Sequence, residues 1–280
     1  MAAAGAGARR TAGGVMLIAQ ISDLHLRASG GPLQGRIDTI AALSDCIAHV
    51  NRLSPRPDIV LATGDLTDLA LPEDYALLRR MLAKFAMPLY VIAGNHDDRD
   101  GLRAAFGDDG YLPAAGEFLH YAIEDWPLRL IGLDTLLPGE IGGGFCAGRL
   151  RWLAERLAEH PDRPTVLFMH HPPFPSGIRF LDTPPFAGAA ELADLISRHP
   201  QVRQVLCGHI HRAIHVNWAG TCAAVAPSIV YQMNLAFEAG TGFQRIDDPP
   251  AIALYRWADA IGPVGYISLI GKAGRGGTSP

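Results

Sequence analysis

Short apolar runs alternate along this chain with stretches whose apolar residues recur every three or four positions. The first run is VMLIAQIS, residues 15–22. It is short and does not alternate in polarity, which fits a strand buried on both faces. Ile37, Ile40, Leu43, Ile47 and Val50 then repeat at helical spacing. DIVLAT (58–63) predicts a second buried strand. A helix is expected from Pro72-Glu73-Asp74, where a proline and two acids suit a first turn, with Tyr75, Leu78, Leu82 and Phe85 as its apolar stripe. PLYVIA (88–93) predicts a third strand, and FLHYAIE with LRLIGLDT, either side of Asp125-Trp126-Pro127, a hairpin. Helices are expected over 149–159 and 188–198, and strands over 165–169 and 202–207. The remainder, to about residue 270, reads as short strands with turns such as Asp247-Asp248-Pro249-Pro250. The Pro/Gly-rich stretch 172–187 reads as a loop, because its prolines restrict the backbone and remove N–H donors. Strands alternating with helices give an α/β class.

Composition narrows the function. At 280 residues the chain can hold one large domain or two small ones, and 49% hydrophobic residues supply a core that excludes disorder for most of its length. Charged residues make up 19% and the net charge is −4, which argues against a dedicated nucleic-acid binder but not against nucleotides as small substrates. The four cysteines, Cys46, Cys146, Cys207 and Cys222, form no C-x-x-C pair and are too sparse for a disulfide scaffold, so a reducing, cytoplasmic compartment is expected. No apolar run reaches the roughly 20 residues that span a bilayer, so no membrane association is expected. After the two N-terminal arginines the apolar stretch is only VMLIA, shorter than the roughly 7–15 residues of a signal h-region. Residues 1–14 and 271–280 are expected to be flexible ends around a catalytic domain over 15–270, and no internal repeats stand out.

The chemistry lies at strand ends. Five expected strands each deliver metal-ligand types just past their last apolar residue: Asp23 and His25, Asp65, Asn95 and His96, His170, and His209 and His211. In open α/β sheets, sites form beyond the carboxyl ends of the strands. Turn chemistry alone accounts for an Asp or Asn at any one such end. It does not account for five ends together, because buried strands have no packing need for His or Asp there. The set is imidazole, carboxylate and one amide, without thiolate, which suits Mn, Fe, Zn or Co rather than a structural thiolate zinc. Even with His96 set aside, the remaining seven exceed what one ion with an open position takes, and suit two ions sharing a carboxylate.

The order Asp23-Leu24-His25, Gly64-Asp65, Gly94-Asn95-His96-Asp97, His170-His171-Pro172 and Gly208-His209-Ile210-His211 resembles the calcineurin-like metallophosphoesterase superfamily over roughly residues 15–245. The opening ISDLHL and the compact length are similar to its cyclic-nucleotide phosphodiesterase and glycerophosphodiesterase branch. The resemblance implies a four-layer αββα sandwich with two central mixed sheets and two divalent or trivalent metal ions. It implies that Asp23, His25 and His211 hold one ion, that Asn95, His170 and His209 hold the other, and that Asp65 bridges them. A metal-bridging hydroxide would attack a small phosphodiester, with His96 serving the leaving oxygen. His170 is preferred to His171 as the ligand because it directly follows the apolar strand, as in the family. The same motifs serve phosphomonoesterases, pyrophosphohydrolases and nucleases, and a scaffold of this fold with no catalysis is the rival from another class. A homodimer or higher homo-oligomer is expected, from the resemblance and the apolar stretch Ile252–Ile270.

Around this set, Asn95, His96, His171 and Arg179 are candidate substrate contacts, Phe180 beside Arg179 offers an aromatic ring to a substrate base, and His171 is also a candidate to orient a ligand. Asp97 is expected to cap a helix. Asp134, His49, His120, His160, His199 and His215 are read as structural or surface groups.

Overall fold

The runs that read as buried strands become the centres of two mixed sheets. The computed structural model describes residues 15–271 apart from 30, 34 and 239. The expected arm, 1–14, and all but the first residue of the expected tail lie outside the described residues. In the first sheet β1 (Met16–Ile21), β2 (Ile59–Thr63) and β3 (Leu89–Ile92) pair in parallel. The strands β12 (Ala251–Ala258) and β13 (Gly262–Leu269) extend it antiparallel beyond β1. In the second sheet β5 (Arg129–Leu133), β6 (Thr165–Met169), β7 (Val202–Cys207) and β9 (Thr221–Val225) are parallel, with β4 (Tyr121–Ile123) and β8 (Ile214–Trp218) at its antiparallel edges. A small hairpin of β10 (Gln232–Met233) and β11 (Arg245–Ile246) stands apart from both.

Alternation within the strands sets the layers. On β6, Val166 and Phe168 join the core shared with the first sheet. Leu167 and Met169 face the other way, into the core under α4 (Ala147–Glu159) and α5 (Ala189–Ser197). The helices α1 (Thr39–Arg52), α2 (Pro72–Leu82) and α3 (Arg99–Phe106) cover the first sheet. The order is helix, sheet, sheet, helix: the αββα sandwich that the resemblance implies. A buried polar link ties the sheets together, because Gln20 donates to Thr63 Oγ1 and the Cys207 carbonyl and accepts from the Tyr255 hydroxyl.

Three expectations change. α3 was not anticipated, because only Leu102 and Phe106 of its eight residues are buried and two apolar positions make no readable stripe. Its N-cap is Asp98, which accepts from Gly101 N, so Asp97 is not the cap. β12 and β13 are eight residues each rather than short, since they complete the first sheet.

Asp134, just past β5, is fully buried. It accepts from Arg99 Nε (2.6 Å) and Nη2 (2.9 Å), Leu119 N (2.9 Å) and Leu136 N (3.0 Å). Burial alone would raise its pKa, but the bonded Arg99 guanidinium overrides this and holds the carboxyl below its ordinary value. A carboxylate so depressed stabilises the fold above its unfolded pKa, near about 3.9, and loses that contribution as pH falls through the folded value. Asp134→Asn is expected to lower the unfolding free energy near neutral pH by about 3 kcal/mol. The gap to wild type should shrink below about pH 4 in denaturant titrations. A gap independent of pH would contradict the ion-pair role.

Candidate metal centre

The C-terminal ends of β1, β2, β3, β6 and β7 meet where the two sheets touch, and their loops carry the seven expected ligands and His96. The chain bends sharply there. Seven described non-glycine residues have positive φ, and five of them are Asp23 (55°), His25 (43°), Asp65 (47°), His209 (72°) and His211 (51°). Such left-handed conformations cost on the order of 1–3 kcal/mol each and persist where the surroundings force them. Two glycines let the loops close: a Cβ on Gly94 would sit 2.2 Å from Asp65 N and Oδ1, and one on Gly64 2.5 Å from His170 Nδ1.

Two groups of ligand atoms result. In one, His25 Nε2 lies 3.2 Å from His211 Nε2, which is 3.3 Å from Asp23 Oδ1. In the other, His170 Nε2 lies 3.2 Å from Asn95 Oδ1. Asp65 stands between them, with Oδ2 3.7 Å from His25 Nε2 and Oδ1 3.4 Å from His170 Nε2. The His209 ring packs against His170 at 5.2 Å, and its backbone N–H donates to Asp23.

The tautomers follow from the partners. His211 Nδ1 donates to the Tyr231 carbonyl (3.0 Å) and His170 Nδ1 to the Thr63 carbonyl (2.8 Å). A carbonyl only accepts, so those nitrogens hold the protons and both Nε2 lone pairs face inward. Outer hydrogen bonds of this kind aim imidazoles at a metal. Lone pairs of imidazole, carboxylate and amide oxygen converging at 3.2–3.7 Å repel one another unless a cation lies among them. These residues therefore fit a pair of cations. Without one, a proton is drawn in: burial would lower the His170 pKa, but Asp65 lifts it to about 9.

His171 differs from its neighbour. Its Nε2 donates to the Ile141 carbonyl (3.1 Å), so its Nδ1 accepts from the Thr135 hydroxyl (2.8 Å). No lone pair is left for an ion, although the ring packs 4.7 Å from that of His209. It is 2% exposed, packs beside His209 and lines the cavity next to it. Arg179 is exposed on the 172–187 loop, with its backbone N–H donating to the Ala236 carbonyl. Asp97 is buried and accepts from Gly94 N, Leu66 N and Thr67 N, which ties the β2 loop to the β3 loop.

His96 is the open side of the centre. Its backbone N–H donates to Asp65 Oδ1 (2.9 Å) and its Nδ1 to the Asp68 carbonyl (2.9 Å), while its side chain is 40% exposed. Burial lowers its pKa, but Asp65, then the Asp68 carbonyl and carboxylate, raise it overall. Asp68 escaped the reading of the sequence. Its carboxylate lies 3.4 Å from His25 Nδ1, 3.7 Å from His96 Nδ1 and 3.5 Å from Arg27 Nε. The one signal was a second acid three residues past Asp65. A mostly apolar cavity of about 130 Å³ opens beside His209, with Phe174, Leu181 and Phe186 in its walls.

A helix–sheet–sheet–helix sandwich whose inward-facing donors gather where its two sheets meet has the architecture of a metallohydrolase. Comparison with known proteins specifies it. The model of the calcineurin-like phosphoesterase family matches residues 16–213, and the chain belongs to that family. It is 35% identical over 258 residues to "Probable glycerophosphodiester phosphodiesterase GpdQ" of Arcobacter nitrofigilis, covering 92% of this chain and 94% of that one. It is 31% identical over 215 residues to the 3′,5′-cyclic adenosine monophosphate phosphodiesterase CpdA of Escherichia coli K12, covering 77% and 76%. Among solved structures, a dimetal phosphatase from Danio rerio shares the fold, with a TM-score of 0.60 at 14% identity over 91% of this chain and 99% of that one.

Proposed function

We propose that this chain is a binuclear-metal phosphodiesterase for small diesters, 3′,5′-cyclic nucleotides or glycerophosphodiesters. The observation that carries this is Asp65, whose two oxygens face two separate sets of ligand atoms. One site would comprise Asp23, His25 and His211, and the other Asn95, His170 and His209. Mn, Fe, Zn and Co all suit these donors. Bound there, a metal pair supplies positive charge to the phosphoryl oxygens and acidifies a water.

The chain's own residues do the rest. The Tyr231 and Thr63 carbonyls hold the His211 and His170 imidazoles in the required orientation, and the Asp68 carboxylate lies 3.4 Å from His25 Nδ1. His96 Nδ1 stays protonated on the Asp68 carbonyl, so the proton it can give or take is at Nε2. In the imidazolium form, favoured by Asp65 and Asp68, it can donate that proton to the departing alkoxide. Asn95 and His96 adjoin the open face, where a phosphoryl group would lie.

A scaffold without catalysis would have no use for a complete donor set and an exposed His96. We also propose a cytoplasmic, homodimeric enzyme. The four cysteines are unpaired, no described helix is long and apolar enough to cross a membrane, and the edge strand β13 exposes Tyr266, Ile267 and Leu269.

The test is hydrolysis by metal-stripped protein resupplied with Mn²⁺. Bis-p-nitrophenyl phosphate should exceed p-nitrophenyl phosphate in kcat/KM by about tenfold or more. Preference for the monoester would make the protein a phosphatase, and no turnover with any metal would favour the scaffold.

A further inference from the structure

One side of the metal centre's mouth is made of aromatic rings. Tyr231 packs against His211 with centroids 4.4 Å apart. Phe243 meets Tyr231 edge-on at 6.4 Å, and Phe180 meets Phe243 edge-on at 6.0 Å. Tyr231 is 8% exposed and Phe243 44%, while Phe180 is partly buried.

Two anchored segments hold these rings in place. Phe243 lies in the loop of the β10–β11 hairpin. There Asn234 Nδ2 donates to the Gly242 carbonyl (3.1 Å) and Asn234 Oδ1 accepts from Gln244 N (2.7 Å). The hairpin is tied to the metal ligands, because Met233 N donates to the His211 carbonyl (3.4 Å). Phe180 lies on the 172–187 loop, where Asp182 accepts from Ser176 N, Ser176 Oγ and Gly177 N at 2.7–2.9 Å. Arg179 N donates to the Ala236 carbonyl and joins the two segments (3.3 Å).

Hydrogen bonds thus pin a half-exposed Phe at the edge of a polar centre, where burial would otherwise draw it inward. The row starts beside His211 and passes from buried Tyr231 to half-exposed Phe243, the direction a substituent would take with its phosphate on the metals. A ring separated from its phosphate by one sugar would reach it. A glycerol substituent has no face to stack.

We propose that Tyr231, Phe243 and Phe180 form a subsite for a planar ring on the phosphodiester, so that nucleotide diesters are the favoured substrate class. This rests on the phosphodiesterase reading above. Stacking tolerates any base, because every base has a π-face. The subsite therefore predicts little choice between purines and pyrimidines.

The experiment compares wild type with Phe243→Ala and Phe243→Trp, all loaded with Mn²⁺. Calorimetry with adenosine 5′-monophosphate and ribose 5-phosphate reads the ring alone. Wild type should bind the nucleotide about tenfold tighter, Phe243→Ala should lose most of that ratio, and Phe243→Trp should keep it. In kinetics, Phe243→Ala should raise KM for 3′,5′-cyclic AMP about tenfold more than for glycerophosphoethanolamine, with the loss in KM rather than kcat. Equal wild-type affinity for the two monophosphates would overturn the subsite. So would equal losses on both diesters, and if the variant also dissociated a dimer, the hairpin would belong to a second copy. A ring preference without turnover of either diester would sink the phosphodiesterase reading and leave the subsite standing. Turnover of both diesters without a ring preference would do the reverse.

Discussion

Replacing Asp65 with alanine should abolish metal-dependent hydrolysis, by at least about a thousandfold, and should strip or disorder both metal sites. Asp65 is 3% exposed, and its carboxyl is held well below the ordinary range. Burial opposes that shift, but His170 and His25 outweigh it. Without this carboxylate, His25, His170, His209 and His211 face the centre with Asp23 as the remaining acid among the seven residues. Four imidazoles and one carboxylate hold two divalent cations poorly, because charge is no longer matched. The substitution also frees the His96 N–H, which donates to Asp65 Oδ1. The check is metal content after dialysis, alongside an unfolding curve that shows the variant folded. Two tightly bound ions in the variant would mean the bridge is misassigned.

His96→Ala is the second large effect, and its mark is selectivity. Both metals should remain, because the His96 ring belongs to neither group of ligand atoms. Diesters with alkyl leaving groups should slow by about 10²–10⁴-fold, the usual contribution of a positioned general acid. p-Nitrophenyl esters should slow far less, because that leaving group departs without a proton. Half-exposed at the mouth, with Nδ1 committed to the Asp68 carbonyl, His96 can meet a leaving oxygen only through Nε2. Equal losses across leaving groups would sink the general-acid role.

Much of the centre was legible because an apolar run that ends in His or Asp has no packing explanation. The run DIVLAT cannot bury Asp65 without a partner, and TVLFM cannot bury His170 without one. The less legible residues act through geometry rather than residue type. Nothing in the spelling His170-His171 says that Thr135 and Ile141 occupy both nitrogens of the second ring. Asp68 looks like any turn acid until His25 and His96 fold onto it. Tyr231 holds His211 through its carbonyl, which every residue has, so its type gives no sign of that contact. Phe180 and Phe243 lie 63 positions apart and meet only because two loops fold together. In the fold, short α3 lacked periodicity. β12 and β13 read as short strands because β12 is paired by β1, more than 200 residues earlier, and β13 is held in turn by β12.

The central claim is that two metal ions on these residues drive phosphodiester hydrolysis. Its most direct test is turnover of bis-p-nitrophenyl phosphate as Mn²⁺ is added to metal-stripped protein at a concentration well above its metal affinity. The prediction is no turnover without metal and a rise that reaches its maximum at two equivalents per chain. Full activity at one equivalent, or turnover that persists in chelator, would contradict it.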